Sequence, residues 1–274
     1  MLIAKMYMLV IFAGKSTRMK KVVDQFTVVS NIPYNSTNYC ITLKSSLPLE
    51  KIEAGQFTNV EIPGNKDVFL RRPFSLFEVD YKSNTVSILV KILGKGSKTL
   101  TEVQSGEELS LIYPLGKGFT LPSKGEKILA VGGGSGVAPV LHLARNSHLP
   151  TEKVHVILGA RSASDHIPVD HYSEWATCHY TTDDGSLGIH GVVTSHPLFK
   201  DLTQFDRIYA CGPLPMMKAV AAQAKLADVS CEVSLENLMA CGFGVCLCCI
   251  EPTNKGNLCV CTEGPVFNVN NLKW

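Results

Sequence analysis

The order of apolar and polar positions divides the chain after about residue 121. Between residues 22 and 121 the apolar runs are short and rich in β-branched and aromatic residues, as in QFTVV, YCITLKS, VFLRRPFSLFEV and TVSILVKIL. Clusters of Pro, Gly and Asn separate these runs, and no long segment repeats with the 3.6-residue period of a helix. This pattern predicts a compact β barrel over residues 21–122.

The pattern changes at PSKGEK (122–127), a polar linker that contains glycine. Strand-like and helix-like segments then alternate: KILAV precedes APVLHLARN, KVHVILGA precedes a polar stretch, and DRIYA precedes LPMMKAVAAQAKLA. Such alternation predicts βαβ units on a parallel sheet, here an α/β domain over residues 123–230. From residue 231 the regularity ends, so we expect residues 231–274 to form a small module stabilised by a bound cofactor.

Composition changes this picture only through cysteine. The chain of 274 residues is 45% apolar and 18% charged, and its formal net charge of +2 offers no basic surface for nucleic acid. Six of the ten cysteines lie between residues 241 and 261. Secreted disulfide-rich domains are usually small and distribute their cysteines along the chain. The local cluster therefore favours a metal site in a reducing compartment, and we expect a cytoplasmic protein.

The first 20 residues contain one apolar run, at positions 6–13. This run is far shorter than the ~20 residues that a membrane-spanning helix requires. It is similar to a short signal peptide, but Lys5 alone makes a poor positively charged n-region. We therefore expect residues 1–20 to be an extension before the first domain, or translation to start at Met19. No membrane partner is expected.

A glycine-rich loop joins the first strand of the α/β domain to its helix. In KILAVGGGSGVAPV, glycines allow backbone N–H groups to approach a phosphate, and the helix N-terminus adds partial positive charge. The loop departs from G-x-G-x-x-G at Val137, and a tight turn without a ligand is the alternative. The junction YACGPLPMMKAV would end at the same edge of the sheet, although Cys211 could simply be a small buried apolar residue. The candidate nucleotide-binding residues are Gly132, Gly133, Gly134, Gly136, Cys211, Gly212 and Pro213.

The predicted barrel carries an Arg-Pro pair within a strand. In LRRPFSLFEV, Pro73 would place its strand at an edge or a bulge, Arg72 suits a phosphate, and Ser75 suits a ring nitrogen or carbonyl. A plain Arg-Pro turn is the alternative. About twenty residues later, VKILGKGSKTL adds a second glycine-rich turn beside Lys91.

The cysteine spacing favours an iron–sulfur cluster over zinc. Cys241-x4-Cys246-x2-Cys249, followed by further cysteines, fits the plant-type C-x4-C-x2-C…C arrangement of a [2Fe–2S] cluster. Zinc ribbons and knuckles require paired C-x2-C units, and only one such unit occurs here. Gly242 and Gly244 could turn backbone N–H groups toward sulfur.

Two further cysteines make the fourth ligand ambiguous. Cys248 breaks both spacings and is expected to be a bystander. Cys259 and Cys261 would share a face of an extended strand, so spacing alone does not choose between them.

Together, the barrel motif, the glycine loop and the ACGP junction resemble the ferredoxin-NADP⁺-reductase-type flavoenzyme superfamily. The resemblance implies that the barrel binds FAD and that the glycine loop and ACGP junction bind the nicotinamide nucleotide. The residues that would hold FAD, partly through their backbone, are Arg72, Pro73, Phe74, Ser75, Leu89, Val90, Lys91, Gly96 and Ser97. No residue is assigned a catalytic role, but Ser75 and Cys211 are expected near the junction of flavin and nicotinamide.

The C-terminal module resembles a narrower family. MACGFGVCLCCIE and VCTEGPVF are similar to the cysteine module of the electron-transfer subunits of dihydroorotate dehydrogenase B, and TDDGSLGIHGVVT (182–194) and PLGKGF (114–119) match the same family. The fourth ligand of that family precedes an acidic-Gly-Pro-Val-Phe run. The resemblance therefore implies that the metal ligands are Cys241, Cys246, Cys249 and Cys261.

This second resemblance implies an electron relay in the de novo synthesis of UMP. In that family an FMN-containing catalytic subunit oxidises dihydroorotate to orotate, and two copies of each subunit form a heterotetramer. Electrons would pass from FMN through the [2Fe–2S] cluster and FAD to NAD⁺. The choice of NAD over NADP follows from the family alone, since Arg161 could suit a 2′-phosphate.

Two alternatives of function stay open. One is the flavin subunit of a sulfide dehydrogenase or of an NAD(P)H–ferredoxin transhydrogenase. The other is a non-catalytic binding protein stapled by zinc.

Overall fold

The computed structural model describes residues 21–64 and 67–274. The predicted extension over residues 1–20 lies outside the described residues. None of the helices within the described ranges is long and apolar enough to cross a membrane.

The N-terminal half forms a closed antiparallel barrel, as the sequence predicts. Its strands follow the order β1-β2-β5-β4-β3-β6 around the barrel. Their bounds are β1 (Val22–Pro33), β2 (Asn38–Ser45), β3 (Phe57–Val60), β4 (Arg72–Asp80), β5 (Thr85–Lys91) and β6 (Glu108–Leu115). In β1, Phe26 and Val28 point into the barrel while Gln25 and Thr27 face solvent, which is the two-residue period of a strand.

One element of the barrel half was not expected. A short helix, α1 (Lys95–Leu100), occupies the segment where the sequence suggested only a glycine-rich turn. The Ser97 hydroxyl accepts the N–H groups of Leu93 and Gly94, which caps the helix, and Leu100 is fully buried in the barrel core. Six residues are too few to show a helical period, so the pattern could not predict it.

The second half is built on a seven-stranded sheet of order β10-β9-β8-β7-β11-β12-β15. All its neighbours pair in parallel except β15, which is antiparallel to β12. The elements are β7 (Ile128–Gly133), α2 (Val137–Asn146), β8 (Val154–Ala160), β9 (Thr177–Thr182), β10 (Ile189–His190), β11 (Arg207–Cys211), α3 (Leu214–Leu226), β12 (Ser230–Ser234), β13 (Ile250–Thr253), β14 (Gly256–Cys259), α4 (Val260–Glu263) and β15 (Val266–Asn268). The predicted parallel-sheet α/β domain is thereby confirmed.

Helices cover both faces of this sheet. In β7, Ile128 and Ala130 pack with α2, whereas Leu129 and Val131 pack with α3 on the opposite face. Because both faces are buried, the strand reads as a continuous apolar run rather than an alternating one. Strand β9 has the polar sequence TCHYTT and was not predicted; pairing with β8 defines it, not its own pattern.

The cysteine-rich region is inserted into the same sheet. The chain leaves the sheet after β12, forms the hairpin β13–β14 and helix α4, and returns as β15, which pairs with β12. Cys249 and Cys261 belong to the same buried cluster as Leu129 and Val131 of the sheet. The predicted boundary between residues 230 and 231 thus falls at the start of a sheet strand, and the domain limits stay a prediction.

Candidate functional site

An open seam in the barrel coincides with the segments predicted to hold FAD. The ladder between β4 and β5 runs only from the Leu76–Ile88 pair to the Asp80–Thr85 pair. Residues 72–75 therefore pair with β3 alone, and residues 89–91 pair with β2 alone. Between these two segments the backbone edges face each other without a ladder. A planar ring system with polar edges fits such a seam, because backbone N–H and C=O groups need partners.

Pro73 lies inside this seam. Strand β4 is an inner strand of the barrel, but at Pro73 it has a neighbour only on the β3 side, where Pro73 stands opposite Asn59. The missing N–H of proline therefore removes no bond from a β4–β5 ladder.

The two arginines of LRRPF have different surroundings. Arg71 donates to the carbonyl oxygen and the hydroxyl of Ser110 at 2.6 and 2.9 Å and forms an ion pair with Glu61 at 2.6 Å. Among the described residues, Arg72 donates only to the carbonyls of Leu70 and Arg71. A side chain at Gly96 would come within 3.4 Å of Arg72 Nε, so the glycine leaves the guanidinium accessible. Arg71 links the start of β4 to Ser110 of β6 and to Glu61, and Arg72 is the arginine that could bind a phosphate.

Lys91 connects the seam with the glycine loop of the sheet. The Lys91 ammonium lies near Gly134, where an added Cβ atom would be 3.9 Å from Nζ. Gly134 has a φ of +58°, a left-handed conformation that favours glycine. The segments predicted to hold FAD and the nucleotide, far apart in sequence, thus approach each other at Lys91.

The glycine loop packs closely on the ACGP junction. A Cβ atom at Gly136 would lie 2.3 Å from the carbonyl oxygen of Cys211 and 2.6 Å from Gly212 N, so only glycine fits there. In the sheet Cys211 pairs with Gly132. The structure therefore brings together the predicted nucleotide residues at the carboxyl ends of β7 and β11, where doubly wound sheets bind ligands.

Glu236 was not identified from the sequence, yet it lies beside the predicted residues. Its Oε1 atom is 4.0 Å from Cys211 Sγ. Desolvation raises the pKa of Glu236, although its side chain keeps access to solvent, and Lys91 opposes the shift. Burial, with a smaller effect of Glu236, raises the pKa of the Cys211 thiol well above its usual range. Glu236 follows β12 in a sequence with no motif of its own, so only the fold could reveal it.

The cysteine loop directs backbone N–H groups at sulfur. The N–H groups of Phe243 and Cys246 point at Cys241 Sγ, with N···S distances of 3.3 and 3.5 Å. Burial opposes ionisation of Cys241, but these bonds outweigh it and lower the pKa of the thiol to about 6. Hydrogen bonds to sulfur are what an iron–sulfur cluster requires of its loop.

The surroundings of the Cys261 and Cys259 thiols distinguish these two candidates for the fourth ligand. Gly244 N–H points at Cys261 Sγ at 3.2 Å, and Cys261 N–H points at Cys249 Sγ at 3.4 Å. Cys249 and Cys261 are almost completely buried, whereas the Cys259 thiol faces the carbonyl oxygen of Gly244 at 3.9 Å. Burial and the neighbouring Cys249 raise the pKa of Cys261 to about 12, so a thiolate here needs a metal ion to offset its charge. These contacts favour Cys261, as the family resemblance implies.

The thiols of the loop interact in two pairs, Cys241 with Cys246 and Cys249 with Cys261. Within residues 21–64 and 67–274, no three His, Cys, Asp or Glu side chains are arranged to hold a single ion. Cys246 and Cys248 are both exposed, so exposure alone does not distinguish ligand from bystander.

The cysteine loop rests on the barrel. The Asn59 side-chain amide donates to the Cys241 carbonyl at 3.4 Å, and a Cβ atom at Gly242 would lie 2.5 Å from Asn59 Nδ2. Asn59 also stands opposite Pro73 in the β3–β4 ladder. The cysteine loop therefore contacts β3 directly beside the segment of β4 that is predicted to hold the flavin.

A second joint between barrel and cysteine module involves two family motifs. Lys117 N–H, in PLGKGF, donates to the Gly264 carbonyl at 2.6 Å, and a Cβ atom at Gly116 would lie 2.5 Å from Pro265 Cδ. PLGKGF and EGPVF thus pack on each other, which gives both motifs a structural reason.

Family models match the second half of the chain. Residues 130–222 match the NAD-binding domain of oxidoreductases, and residues 236–273 match the iron–sulfur cluster binding domain of dihydroorotate dehydrogenase B. The chain thus has the NAD-binding and iron–sulfur-binding domains that the motifs predict.

Solved structures share the fold. The structure of an NADH-dependent reduced ferredoxin-NADP oxidoreductase is 25% identical with a TM-score of 0.79, and the match covers 91% of this chain and 90% of that one. A cytochrome P450 reductase from Amycolatopsis, 20% identical, covers 76% of this chain and 67% of its own with a TM-score of 0.66. The combination of barrel and parallel sheet is therefore a ferredoxin-reductase-like fold.

Similar proteins extend along nearly the whole chain. The electron transfer subunit of dihydroorotate dehydrogenase B (NAD(+)) from Fusobacterium nucleatum is 33% identical over 260 residues, which cover 92% of this chain and 98% of that protein. The protein of the same name from Caldanaerobacter subterraneus is 36% identical over 222 residues, which cover 80% and 86%. On this evidence the chain belongs to the family of dihydroorotate dehydrogenase B electron transfer subunits.

Proposed function

We propose that this chain accepts electrons from an FMN-containing dihydroorotate dehydrogenase subunit at its cysteine loop and delivers them to NAD⁺ at its glycine loop. The observation that carries the proposal is the position of the barrel seam between these two loops. Lys91 reaches the glycine loop on one side, and Asn59 holds the cysteine loop on the other. When bound, FAD converts between the one-electron chemistry of an iron–sulfur cluster and the hydride chemistry of nicotinamide.

The residues of this chain would bind and orient these groups. Arg72 and the backbone of residues 89–91 would hold FAD in the seam, with Gly96 and Ser97 at its phosphates. Gly134 and Gly136 would admit the nucleotide phosphates, with Cys211 and Glu236 beside the nicotinamide. Cys241, Cys246, Cys249 and Cys261 would hold the [2Fe–2S] cluster, and the N–H groups of the loop would stabilise its sulfurs.

An apolar surface around the cysteine loop supports docking of the catalytic subunit there. Leu238, Phe243, Val245 and Leu247 are 85, 42, 82 and 58% exposed. Large apolar side chains grouped at the surface are typical of interaction sites. Docking at this surface would bring the partner's cofactor close to the cluster. We propose a heterotetramer with two copies of each subunit.

The experiment that tests the proposal begins with anaerobic purification of the chain. We expect a flavin spectrum and, per chain, one FAD, two irons and two acid-labile sulfides. Reconstitution with a dihydroorotate dehydrogenase catalytic subunit should then give NAD⁺-dependent oxidation of dihydroorotate. Zinc without flavin would contradict the proposal and favour the zinc-stapled binding protein.

A pair of cysteine variants tests the relay itself. Cys249→Ala should keep NADH-driven reduction of an artificial dye through FAD but lose electron exchange with the catalytic subunit. Cys248→Ala, which changes the exposed neighbouring thiol, is the matched control and should retain both activities. Undiminished NAD⁺-dependent dihydroorotate oxidation by the Cys249→Ala complex would refute the relay.

A second candidate is favoured by the TM-score of 0.79 to the NADH-dependent reduced ferredoxin-NADP oxidoreductase. In this case the chain would serve as a flavin subunit that exchanges electrons between ferredoxin and nicotinamide nucleotides. The lower identity, 25% against 33–36% for the dihydroorotate dehydrogenase subunits, makes it the weaker candidate. Reduction of ferredoxin by the chain, without coupling to dihydroorotate oxidation in the reconstituted complex, would reverse this order.

A further inference from the structure

Helix α2 of the sheet packs on β4 of the barrel through one buried hydrogen bond. The Nδ1 atom of His142, on α2, lies 3.1 Å from the carbonyl oxygen of Leu76, on β4. His142 is 2% exposed and Leu76 is fully buried. A carbonyl oxygen can only accept, so Nδ1 must carry the proton and donate it.

The Leu76 carbonyl needs this partner because the adjacent ladder has ended. In an extended strand the N–H and C=O groups of one residue point toward the same neighbouring strand. On the β3 side the ladder stops at the Phe57–Ser75 pair, and Leu76 N–H donates to the Gln56 carbonyl at 3.2 Å. A buried carbonyl without a partner is destabilising, and His142 supplies the donor from the other domain.

Each end of this hydrogen bond lies only a few residues along the chain from one of the two predicted cofactor sites. Leu76 directly follows Ser75, the last residue of the seam segment. His142 lies in the second turn of α2, whose first residue, Val137, follows the glycine loop. Movement of the glycine loop relative to the seam would therefore change the length of this bond.

The His142 imidazole keeps the same protonation state, and therefore the same donor, over the physiological pH range. Burial lowers the pKa of His142 to about 4, with Arg145 adding to the shift and the Leu76 carbonyl and Glu78 opposing it. The ring therefore stays neutral at physiological pH, and a rigid helix carries it. Because both partners are buried, salt screens this bond much less than a bond at the surface.

Other bonds across the same interface are more exposed. Glu78 accepts from Tyr172 Oη at 3.0 Å and from His171 Nε2 at 3.1 Å, and Arg145 lies 3.8 Å away. The His171 side chain is 50% exposed. Such pairs at the surface are weak and adjustable, so His171 offers a matched control for a buried histidine at the same interface.

We propose that His142 is a positioning residue, which sets the separation of the flavin and nicotinamide sites by holding the Leu76 carbonyl against helix α2. The inference rests on the proposed function, because it assigns flavin to the seam and nicotinamide to the glycine loop. It predicts that loss of the N–H donor moves one site relative to the other and slows hydride transfer.

Three variants of the full, FAD-loaded chain test this role. His142→Leu keeps the side-chain volume but removes the donor, His142→Asn keeps an N–H donor but loses volume, and His171→Leu is the control. Stopped-flow reduction of the flavin by NADH measures hydride transfer, in which NADH becomes NAD⁺ and the flavin is reduced. The long-wavelength charge-transfer absorption of the flavin–nicotinamide pair reports their stacking. Hydrogen exchange of the cofactor-free chain reports the interface without any activity.

We expect His142→Leu to lower the limiting rate of flavin reduction by about tenfold to a hundredfold, the effect of a displacement of about 1 Å. The Kd for NADH should change little, the charge-transfer absorption should weaken, and residues 72–80 and 137–146 should exchange faster. His142→Asn should recover most of the rate even though it packs less well, and His171→Leu should match the wild type.

Two results would overturn the inference. One is a wild-type rate and charge-transfer absorption in His142→Leu. The other is an Asn variant that is as slow as the Leu variant while it retains FAD, since packing rather than the N–H donor would then matter. A wild-type chain that binds no FAD, or whose flavin NADH does not reduce, would refute the proposed function instead.

Discussion

The cysteine loop and the barrel seam are built in opposite ways. The loop draws its four proposed ligands from residues 241–261, and its N–H···S bonds come from the same stretch. The seam is made from two strands of the barrel, and its main feature is the end of the β4–β5 ladder at Leu76 and Ile88. A site within one stretch leaves a spacing that can be recognised, whereas a site made by strand pairing leaves only weak motifs.

The largest effect is expected from the buried thiol of the loop. Cys261→Ser should lower the iron and sulfide content of the purified chain by at least about tenfold, whereas Cys259→Ser should leave it near the wild-type value. The reason is that Gly244 N–H points at Cys261, and the Cys259 thiol faces a carbonyl oxygen. Iron and sulfide assays on both variants measure the difference. The reverse result would make Cys259 the ligand.

Lowering the pH should destabilise the α/β half of the chain selectively, because the histidines lie there. All eight histidines lie between residues 142 and 196, so none lies in the barrel. Burial lowers the pKa of His142 and of His179 to about 4, so each binds a proton more readily when unfolded. Their contribution to stability is complete above pH 6.5 and is lost as the pH falls from 6.5 toward 4.

The His142 contribution can be isolated by urea unfolding. Between pH 7 and 5 the fully buried His142 alone should remove about 2 kcal/mol from the free energy of unfolding. His179 acts in the same direction but is only partly buried and contributes less. Unfolding at both pH values should show a shallower pH dependence for His142→Asn than for the wild type. Equal pH dependence of the two chains would contradict the shifted pKa.

The two arginines of LRRPF should separate cofactor binding from stability. Arg71→Gln should lower the free energy of unfolding by about 1.5–3 kcal/mol, because it loses bonds to Ser110 and Glu61, with little change in FAD affinity. Arg72→Gln should weaken FAD binding by about tenfold while changing stability little, because a charge-assisted phosphate contact is lost. Flavin titration of the apoprotein and urea unfolding measure the two quantities. Equal FAD affinity in both variants would remove Arg72 from the flavin site.

The smallest effect on stability is expected where the two regions touch. Asn59 donates one bond of 3.4 Å to Cys241, and its Oδ1 atom is buried without a partner among the described residues. Asn59→Leu should therefore change the free energy of unfolding by less than about 1 kcal/mol. The visible circular dichroism of the cluster should nevertheless change, because the loop loses its support on the barrel. An unaltered cluster spectrum would mean that the PLGKGF–EGPVF contact alone holds the loop.

The fold class, the order of the two large units and the residues of the local motifs could all be predicted from the amino-acid sequence. The runs of β-branched residues predicted the barrel, and the alternation after residue 127 predicted the parallel sheet. The spacing of Cys241, Cys246 and Cys249 predicted the cluster loop, and the glycines before Val137 predicted the loop that packs on Cys211. These features could be recognised because their physical causes act between residues that are close along the chain.

Features whose partners lie far apart in sequence became visible only in the folded chain. Helix α1 and strand β9 depend on the barrel core and on β8 rather than on a pattern of their own. Glu236 beside Cys211, Asn59 beside Cys241 and His142 on the Leu76 carbonyl are contacts across 25, 182 and 66 residues. The spacing of residues along the sequence does not predict such contacts. They form only when the packed chain brings distant polar groups together and burial makes hydrogen bonding between them favourable.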